Sequence, residues 1–315
     1  MSKELISVVV PCYNEQEVLP LFYDEIIRVS DGMSEKYADL EFEFLFINDG
    51  SKDKTLDILR EFALKDERVR YVSFSRNFGK EAGIFAGIEN SRGDYVVIID
   101  ADLQHPPARI PEMYEYVKSG EFDCASTRRI SREGDSKVLS FFARSFYKLI
   151  NLISQTYIID GAQDFRFMTR QMVDSILKMS EYHRFSKGIF SWVGFRTKYI
   201  DVTNTERAAG KTTFNFWRLF KYSLEGIIAF SVAPLALSVI FGVLFCVASL
   251  AALILSAVNG SQTALIAGIV MLVGGIQLFC TGINGQYLSK TYMETKARPK
   301  YIASETEDMY KKRLK

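Results

Sequence analysis

The first two hundred residues alternate between short β-branched or aromatic runs and longer stretches with apolar positions three or four apart. Residues 5–10 form the first run, stopped by Pro11; residues 15–30 follow, with Val18, Leu21, Phe22, Ile26 and Val29 on one helical face. The pattern then predicts strands at 42–47, 69–73 and 95–99, and helices at 52–64, 79–90 (rich in small residues) and 110–118. A short strand is predicted at 124–127. Strands alternating with helices indicate an α/β fold with a doubly wound, mostly parallel sheet. Beyond Arg128 the pattern loosens. It predicts a polar loop at 130–134, an amphipathic helix at 137–153, a strand at 165–168, a helix at 171–179 and a strand at 197–202. A polar stretch, 203–213, carries Arg207, Gly210 and Lys211.

The last third has a different character. No Asp, Glu, Lys or Arg occurs from Gly226 to Ser289. Two apolar segments, 227–258 and 264–288, each exceed the ~20 residues needed to cross a ~30 Å hydrocarbon layer. Pro234 marks where the first becomes steep. Residues 214–226 mix Phe214, Phe216, Trp217 and Phe220 with Arg218 and Lys221, a pattern suited to a helix lying in the membrane interface. Arg218 and Lys221 precede the pair of spans, and Lys290, Lys296, Arg298 and Lys300 follow it. The positive-inside rule therefore puts both flanks in the cytoplasm and the hairpin 259–263 outside. The expected organisation is a cytosolic domain over 1–213, the juxtamembrane helix, two transmembrane helices and a cytosolic basic tail over 289–315. Glycines in the spans, with Gln277, Thr281, Asn284 and Gln286, make helix association and a homo-oligomer plausible.

The net charge of +1 gives no reason to expect nucleic acid. Four cysteines without a Cys-x-x-Cys spacing argue for reduced thiols and against zinc. The two histidines, His105 and His183, are too few for a His-rich metal centre. His105 either touches a substrate or caps local structure. The most informative chemistry is Asp100-Ala101-Asp102, which ends the apolar run 95–99. Carboxylates are hard ligands, and magnesium or manganese typically binds through one or two of them plus substrate phosphates. In open α/β sheets ligands sit beyond the carboxyl ends of strands.

Several motifs occur in order: Val10-Pro11-Cys12-Tyr13-Asn14-Glu15, Asn48-Asp49-Gly50-Ser51, Ser75-Arg76-Asn77-Phe78-Gly79-Lys80, Asp100-Ala101-Asp102-Leu103-Gln104, Gly161-Ala162-Gln163-Asp164-Phe165-Arg166, then Arg207 with Gly210-Lys211, then two apolar spans. Together they resemble the family 2 glycosyltransferases of the GT-A fold. More closely, they resemble the polyisoprenyl-phosphate glycosyltransferases, which include bactoprenol glucosyltransferases and relatives of dolichol-phosphate mannose synthase. The resemblance implies a nucleotide-sugar donor, with UDP-glucose the first choice, and a polyisoprenyl (undecaprenyl) phosphate acceptor at the inner leaflet of a bacterial cytoplasmic membrane. It places Pro11, Tyr13, Glu15, Asp49, Asp100 and Ala101 around the nucleotide sugar. Asp100, Asp102 and Gln104 are assigned to a magnesium or manganese ion. Asn48 stands where many relatives have a second Asp, which leaves Asp49 as the nucleotide contact; Asp49 or Ser51 also suits an N-cap of the next helix.

Arg128, Arg207 and Lys211 are candidates to clamp phosphate, by paired guanidinium donors or as a point charge. Arg76 and Lys80 flank a glycine turn and either meet the donor or stabilise a helix end. The implied reaction is inverting displacement at the anomeric carbon by the lipid phosphate. Asp164 is the usual choice of base in the resemblance; it could instead orient the acceptor or hold Arg166 in an ion pair. Two rival readings are a membrane polysaccharide synthase and a non-catalytic lipid transporter or anchor. Two spans leave the first little room for a polymer conduit, and the acidic residues argue against the second.

Overall fold

The computed structural model describes residues 3–129, 151–152, 157, 159–179, 181–182, 184–202, 241, 244 and 262–314. The core is one eight-stranded sheet: β1 (Glu4–Cys12), β2 (Leu40–Asn48), β3 (Val69–Phe74), β4 (Tyr95–Ile98), β5 (Cys124–Arg129), β6 (Ala162–Thr169), β7 (Thr197–Val202) and β8 (Ala303–Thr306). Their order across the sheet is β7-β5-β6-β4-β1-β2-β3-β8. The central strands β4-β1-β2-β3 are parallel, as is β5 with β7. Strand β6 runs antiparallel to both neighbours, and β8 antiparallel to β3. The sheet is therefore mixed around a parallel centre rather than parallel almost throughout.

Helices cover both faces, so the central strands are apolar on both sides. One face packs Val8, Val10, Phe44, Phe46, Val97, Phe165 and Phe167 against α1 (Leu19–Lys36), α2 (Thr55–Lys65) and α4 (Ile110–Lys118). The other packs Val9, Leu45, Ile47, Val96, Ile98 and Met168 against α3 (Lys80–Asn90), α5 (Arg170–Leu177) and α6 (Ser186–Trp192). Side chains alternate between faces along a strand. Positions with the parity of Ile98 and Met168 thus lie on the α3 face, which decides the site below.

Among the boundaries that shift, three do so for a plain local reason. Strand β1 continues through Pro11, which pairs with Ile47. The Val9 carbonyl accepts from Ile99 on the β4 side and the Cys12 carbonyl from Asp49 on the β2 side. By alternation, the N–H that Pro11 lacks falls on the β4 side, beyond the last ladder pair Val9↔Ile98, where no bond is lost. Helix α1 starts at Leu19 rather than residue 15 and runs on to Lys36, because Met33 extends the buried face of Phe22, Ile26 and Val29 while Gly32 stays outside. Helix α2 starts at Thr55, after the turn 49–54 has been used to tie loops together.

Small residues on α3 let it approach β1. A Cβ at Gly83 would meet Pro11 Cβ at 3.4 Å, an ordinary contact, whereas one at Gly87 would collide with Val9, whose Cβ lies 3.2 Å away. Gly87→Ala is expected to cost about 1–3 kcal/mol through overpacking, while Gly83→Ala is neutral or stabilising. Thermal melts of the two variants check this; equal melting temperatures would contradict the packing.

The expected basic tail is not a tail beyond residue 302. Strand β8 pairs Thr306 with Val72 and Glu305 with Ser73, and α8 (Glu307–Leu314) packs on α2. Glu305 is buried and accepts from Arg60 at 2.8 and 2.9 Å, from the Tyr71 hydroxyl at 2.8 Å and from Arg313. Glu307 accepts from Arg70 Nε at 2.9 Å, and Arg70 reaches Glu43 at 3.0 Å. Acidic residues in a segment expected to be a basic tail are the pins of this attachment.

The segment 264–288 belongs to a single helix, α7 (Gln262–Thr295). Its Leu278 and Leu288 are 75% and 71% exposed, and Phe279 meets Phe241 of the other apolar segment edge to face at 6.1 Å. Among the described residues no helix is long and apolar enough to cross a membrane. Apart from 241 and 244, residues 227–258 lie outside the described residues, as do the side chains of 262–264, 267, 268 and 271 within α7. The loop 130–134, nearly all of the helix 137–153, the stretches 203–213 and 214–226 and most of the hairpin 259–263 also lie outside them.

Candidate active site

The loops after β1, β2, β3 and β4 and the start of β6 meet at one end of the sheet. The first two are fastened to each other. Asn14, in the left-handed region at φ 57°, gives its N–H to Ser51 Oγ at 2.9 Å and accepts from the Lys52 N–H at 2.9 Å. Glu15 N–H donates to Thr55 Oγ1 at 2.9 Å, and Gln16 N–H to Asp53 at 3.2 Å. This leaves Tyr13 at the rim, 44% exposed, with Pro11 half-buried beneath it.

Asp49 fastens the second loop to the third. Its carboxylate accepts from the Phe78 N–H at 2.6 Å and the Gly79 N–H at 2.9 Å. Burial raises its pKa against the pull of those two N–H groups and Arg76. Neither Asp49 nor Ser51 caps α2: Asn48 holds the Ser51 N–H at 3.2 Å, and Asp53 holds the Thr55 N–H at 3.0 Å. Gly50, at φ 64°, sits against Arg76, where a side chain would strike backbone. Asp49 thereby sets the entry of α3 and the position of its first residue, Lys80.

Lys80 is the centre of the site. Its ammonium lies 2.8 Å from Asp100 Oδ2 and 2.7 Å from Asp164 Oδ2. Sheet register explains the meeting. β4 pairs Ile98 with Arg166, and continuing that register sets Asp100 across from Asp164, both on the α3 face. Like charges directly opposite on a sheet repel, and Lys80 reaches down from α3 to bridge them. Burial opposes its charge, yet Asp164 and Asp100 raise its pKa. Burial likewise works to raise Asp164, but Lys80, with Lys187 and Arg166, holds that carboxyl well below the usual range.

Asp102 lies one turn beyond, its Oδ1 accepting from the Gln104 N–H at 3.1 Å around Leu103, whose φ is 57°. Ala101 is buried on the opposite face. His105 is buried with its ring 5.7 Å from that of Phe165; burial lowers its pKa despite Asp100 and Asp102. It is a packed structural histidine rather than a group offered to substrate.

Two expected arrangements differ. Arg166 makes no ion pair with Asp164; its guanidinium stacks on Phe190 at 3.6 Å and donates to the Gln163 carbonyl at 2.9 Å. Arg128 is bonded to Asp201, its register partner on β7, at 2.7 Å. Arg207 and Lys211 lie outside the described residues. Glu81 was missed in sequence. It is half-buried next to Lys80, accepts from Ser186 N–H at 3.0 Å and from the Ser186 hydroxyl, and desolvation pushes it up to about 7. The run Gly79-Lys80-Glu81 at a helix start was the available signal.

The donor set was tested for a divalent cation. Among the described residues no three His, Cys, Asp or Glu side chains form a cage. Asp100 and Asp102, two hard carboxylate donors separated by one residue, suit a magnesium or manganese ion that completes its shell with phosphate and water.

The profile of the family described as "Glycosyl transferase family 2" matches residues 7–177. The chain is 41% identical over 308 residues to the "Prophage bactoprenol glucosyl transferase homolog" of Escherichia coli (strain K12), covering 94% of this chain and 97% of that one. It is 39% identical over 308 residues to the "Bactoprenol glucosyl transferase" of Shigella phage SfX, covering 94% and 98%. Among solved structures, a glucosyl-3-phosphoglycerate synthase from Mycobacterium tuberculosis superposes with a TM-score of 0.47 at 19% identity, covering 71% of this chain and 78% of that one.

Proposed function

The chain belongs to glycosyl transferase family 2, and we propose that it transfers glucose from UDP-glucose to a polyisoprenyl phosphate at the inner face of a bacterial cytoplasmic membrane. The observation that carries this reading is the likeness to proteins named bactoprenol glucosyl transferase across 94% of the chain, which includes the apolar segments as well as the catalytic sheet.

Two transmembrane helices, 227–258 and 264–288, anchor the enzyme in this reading. The sheet supports it independently. β7 ends at Val202 and β8 begins at Ala303 in the same sheet, so the chain between them must return to the side it left. The number of crossings is then even, and two apolar segments match it. The Phe241–Phe279 contact is what a hairpin of two spans requires. Helix α7 would be ~51 Å long at 1.5 Å per residue, enough to cross a ~30 Å layer and project toward the catalytic sheet.

Asp100 and Asp102 would hold the divalent cation, with Gln104 shaping their turn, and Pro11, Tyr13, Glu15 and Asp49 would form the nucleotide cleft. When bound, the cation neutralises charge on the departing diphosphate. The attacking group is a lipid phosphate oxygen, already ionised because the second pKa of a phosphate monoester is ~6. It displaces the nucleoside diphosphate from the anomeric carbon with inversion. Asp164, ion-paired with Lys80, is a poor proton acceptor and acts here as a positioning residue. Arg128, Arg207 and Lys211 are the cations toward the acceptor. Anchoring brings the site to the depth of the lipid phosphate and removes much of the cost of bringing the reactants together.

Full-length protein incubated with labelled UDP-glucose, UDP-N-acetylglucosamine, UDP-galactose or GDP-mannose and polyprenyl phosphate tests the proposal. A lipid-linked hexose is expected; polymer, or no transfer from any donor, overturns it. Asp164→Asn is expected to lower kcat/KM about 10- to 100-fold, as loss of a charged partner does. Its pH profile should stay flat above ~6.5, because the ionised phosphate needs no base. Loss of a basic limb in that profile would restore the base role.

A further inference from the structure

Lys80 does more than the donor chemistry requires. A cation resting on a metal-binding carboxylate would be explained by Asp100 alone, yet the ammonium is shared equally with Asp164, at 2.8 and 2.7 Å. Its side chain is 46% exposed, so Lys80 lies at the surface of the cleft and not in the core. An ammonium carries three N–H donors, and among the described residues Asp100 and Asp164 take two. A divalent ion on Asp100 would repel the ammonium and take over that carboxylate's charge, leaving Lys80 on Asp164.

The acceptor poses an electrostatic problem at this point. A phosphate dianion has to approach the anomeric carbon from the side opposite the leaving diphosphate. Asp164, on the strand beyond Asp100, guards that approach with a negative charge. A carboxylate and a phosphate cannot be neighbours in a half-buried cleft without a cation between them. Of the other cations around Asp164, Arg166 is buried and held over Phe190, and Lys187 acts on Asp164 without an ion-pair contact. Among the described residues Lys80 is the one in bonding distance of Asp164, on a stem tied at its root by the Asp49 loop.

Resting on the transferase reading above, we propose that Lys80 is a catalytic residue that contacts the acceptor phosphate. It bridges Asp164 to the attacking oxygens, a role for which it is free when Asp100 serves a divalent ion. No bond forms or breaks at the lysine; it remains an ammonium, orienting and charge-matching the nucleophile.

In full-length protein, Lys80→Met is expected to raise KM for polyprenyl phosphate about 10- to 100-fold, the loss typical of a charge-assisted hydrogen bond. Affinity for UDP with Mn²⁺, read by electron paramagnetic resonance of the ion, should change less than about threefold, within the scatter of an indirect effect. Lys80→Arg should recover part of the lipid affinity. A second measurement needs no variant: acetylation of Lys80 in wild-type protein, followed by mass spectrometry. UDP and Mn²⁺ should speed it by freeing the amine from Asp100, and polyprenyl phosphate should then suppress it. The proposal fails if a folded Lys80→Met keeps its lipid KM, if the loss falls on UDP–Mn²⁺ affinity instead, or if the lipid gives Lys80 no protection. Wild-type protein that transfers no sugar overturns the function itself, and the labelling still reports on Lys80.

Discussion

Asp100→Asn is expected to abolish turnover while leaving the fold intact. In the proposed reading its carboxylate would supply one of two charges for the divalent ion, and the amide that replaces it is a weak ligand for a hard cation. Loss of preorganised charge stabilisation at a leaving group costs ~10²–10³-fold or more in kcat. Stability should scarcely move. In the folded protein Asp100 faces Asp164 across the sheet, so removing its charge relieves repulsion while Lys80 keeps Asp164 as its partner. Mn²⁺ affinity in the presence of UDP should fall in parallel with activity, and the melting temperature should stay within a few degrees. Asp102→Asn should behave likewise. Full-rate transfer in excess chelator, or by the double alanine variant, would remove the metal from the account.

Glu305→Gln is expected to give the largest stability loss. Arg60 holds the Glu305 carboxyl down to about 2 against burial, helped by Tyr71 and Arg313. Lying at about 2 instead of the ordinary 4.5, this group contributes about 3 kcal/mol at neutral pH. Because its folded pKa is depressed, that contribution is complete above ~4.5 and is lost as pH falls from 4.5 toward 2. Wild-type stability should therefore fall across this window, and the Glu305→Gln curve should lack that step while lying lower at pH 7. Parallel curves would show that Glu305 is not the pin. A weakened clip also frees the outer edge of β3 and the point where the chain returns from α7 to the sheet. Transfer should then become more heat-sensitive without a change in KM for UDP-glucose.

The acidic pair and the strand-end loops were legible because their meaning is local: an apolar run ending in carboxylates is one short window of sequence, whereas Asp164 was pointed to only by the family resemblance. Lys80 and Arg128 were not. Whether a lysine after a glycine turn caps a helix or joins two carboxylates depends on the β4–β6 register, which pairs Ile98 with Arg166, 68 residues on, and has no signature in either segment. Arg128 keeps its place as a candidate phosphate cation, but its pairing with Asp201 on β7 could not be read from either segment. Strand β8 was invisible for a similar reason. Ala-Ser-Glu-Thr carries no apolar alternation, and its stability comes from pairing with β3 and from arginines contributed by other strands and helices.

The sequence by itself determined the α/β class, the two charge-free segments and the carboxylates at the strand ends, since periodicity and residue chemistry act within a few positions of the chain. The tertiary structure alone decided which charges meet. Long-range register put Asp100 opposite Asp164 beneath Lys80 and gave Arg128 to Asp201, and it returned the chain end to the edge of the sheet, because Coulomb attraction follows distance in space and not separation along the chain.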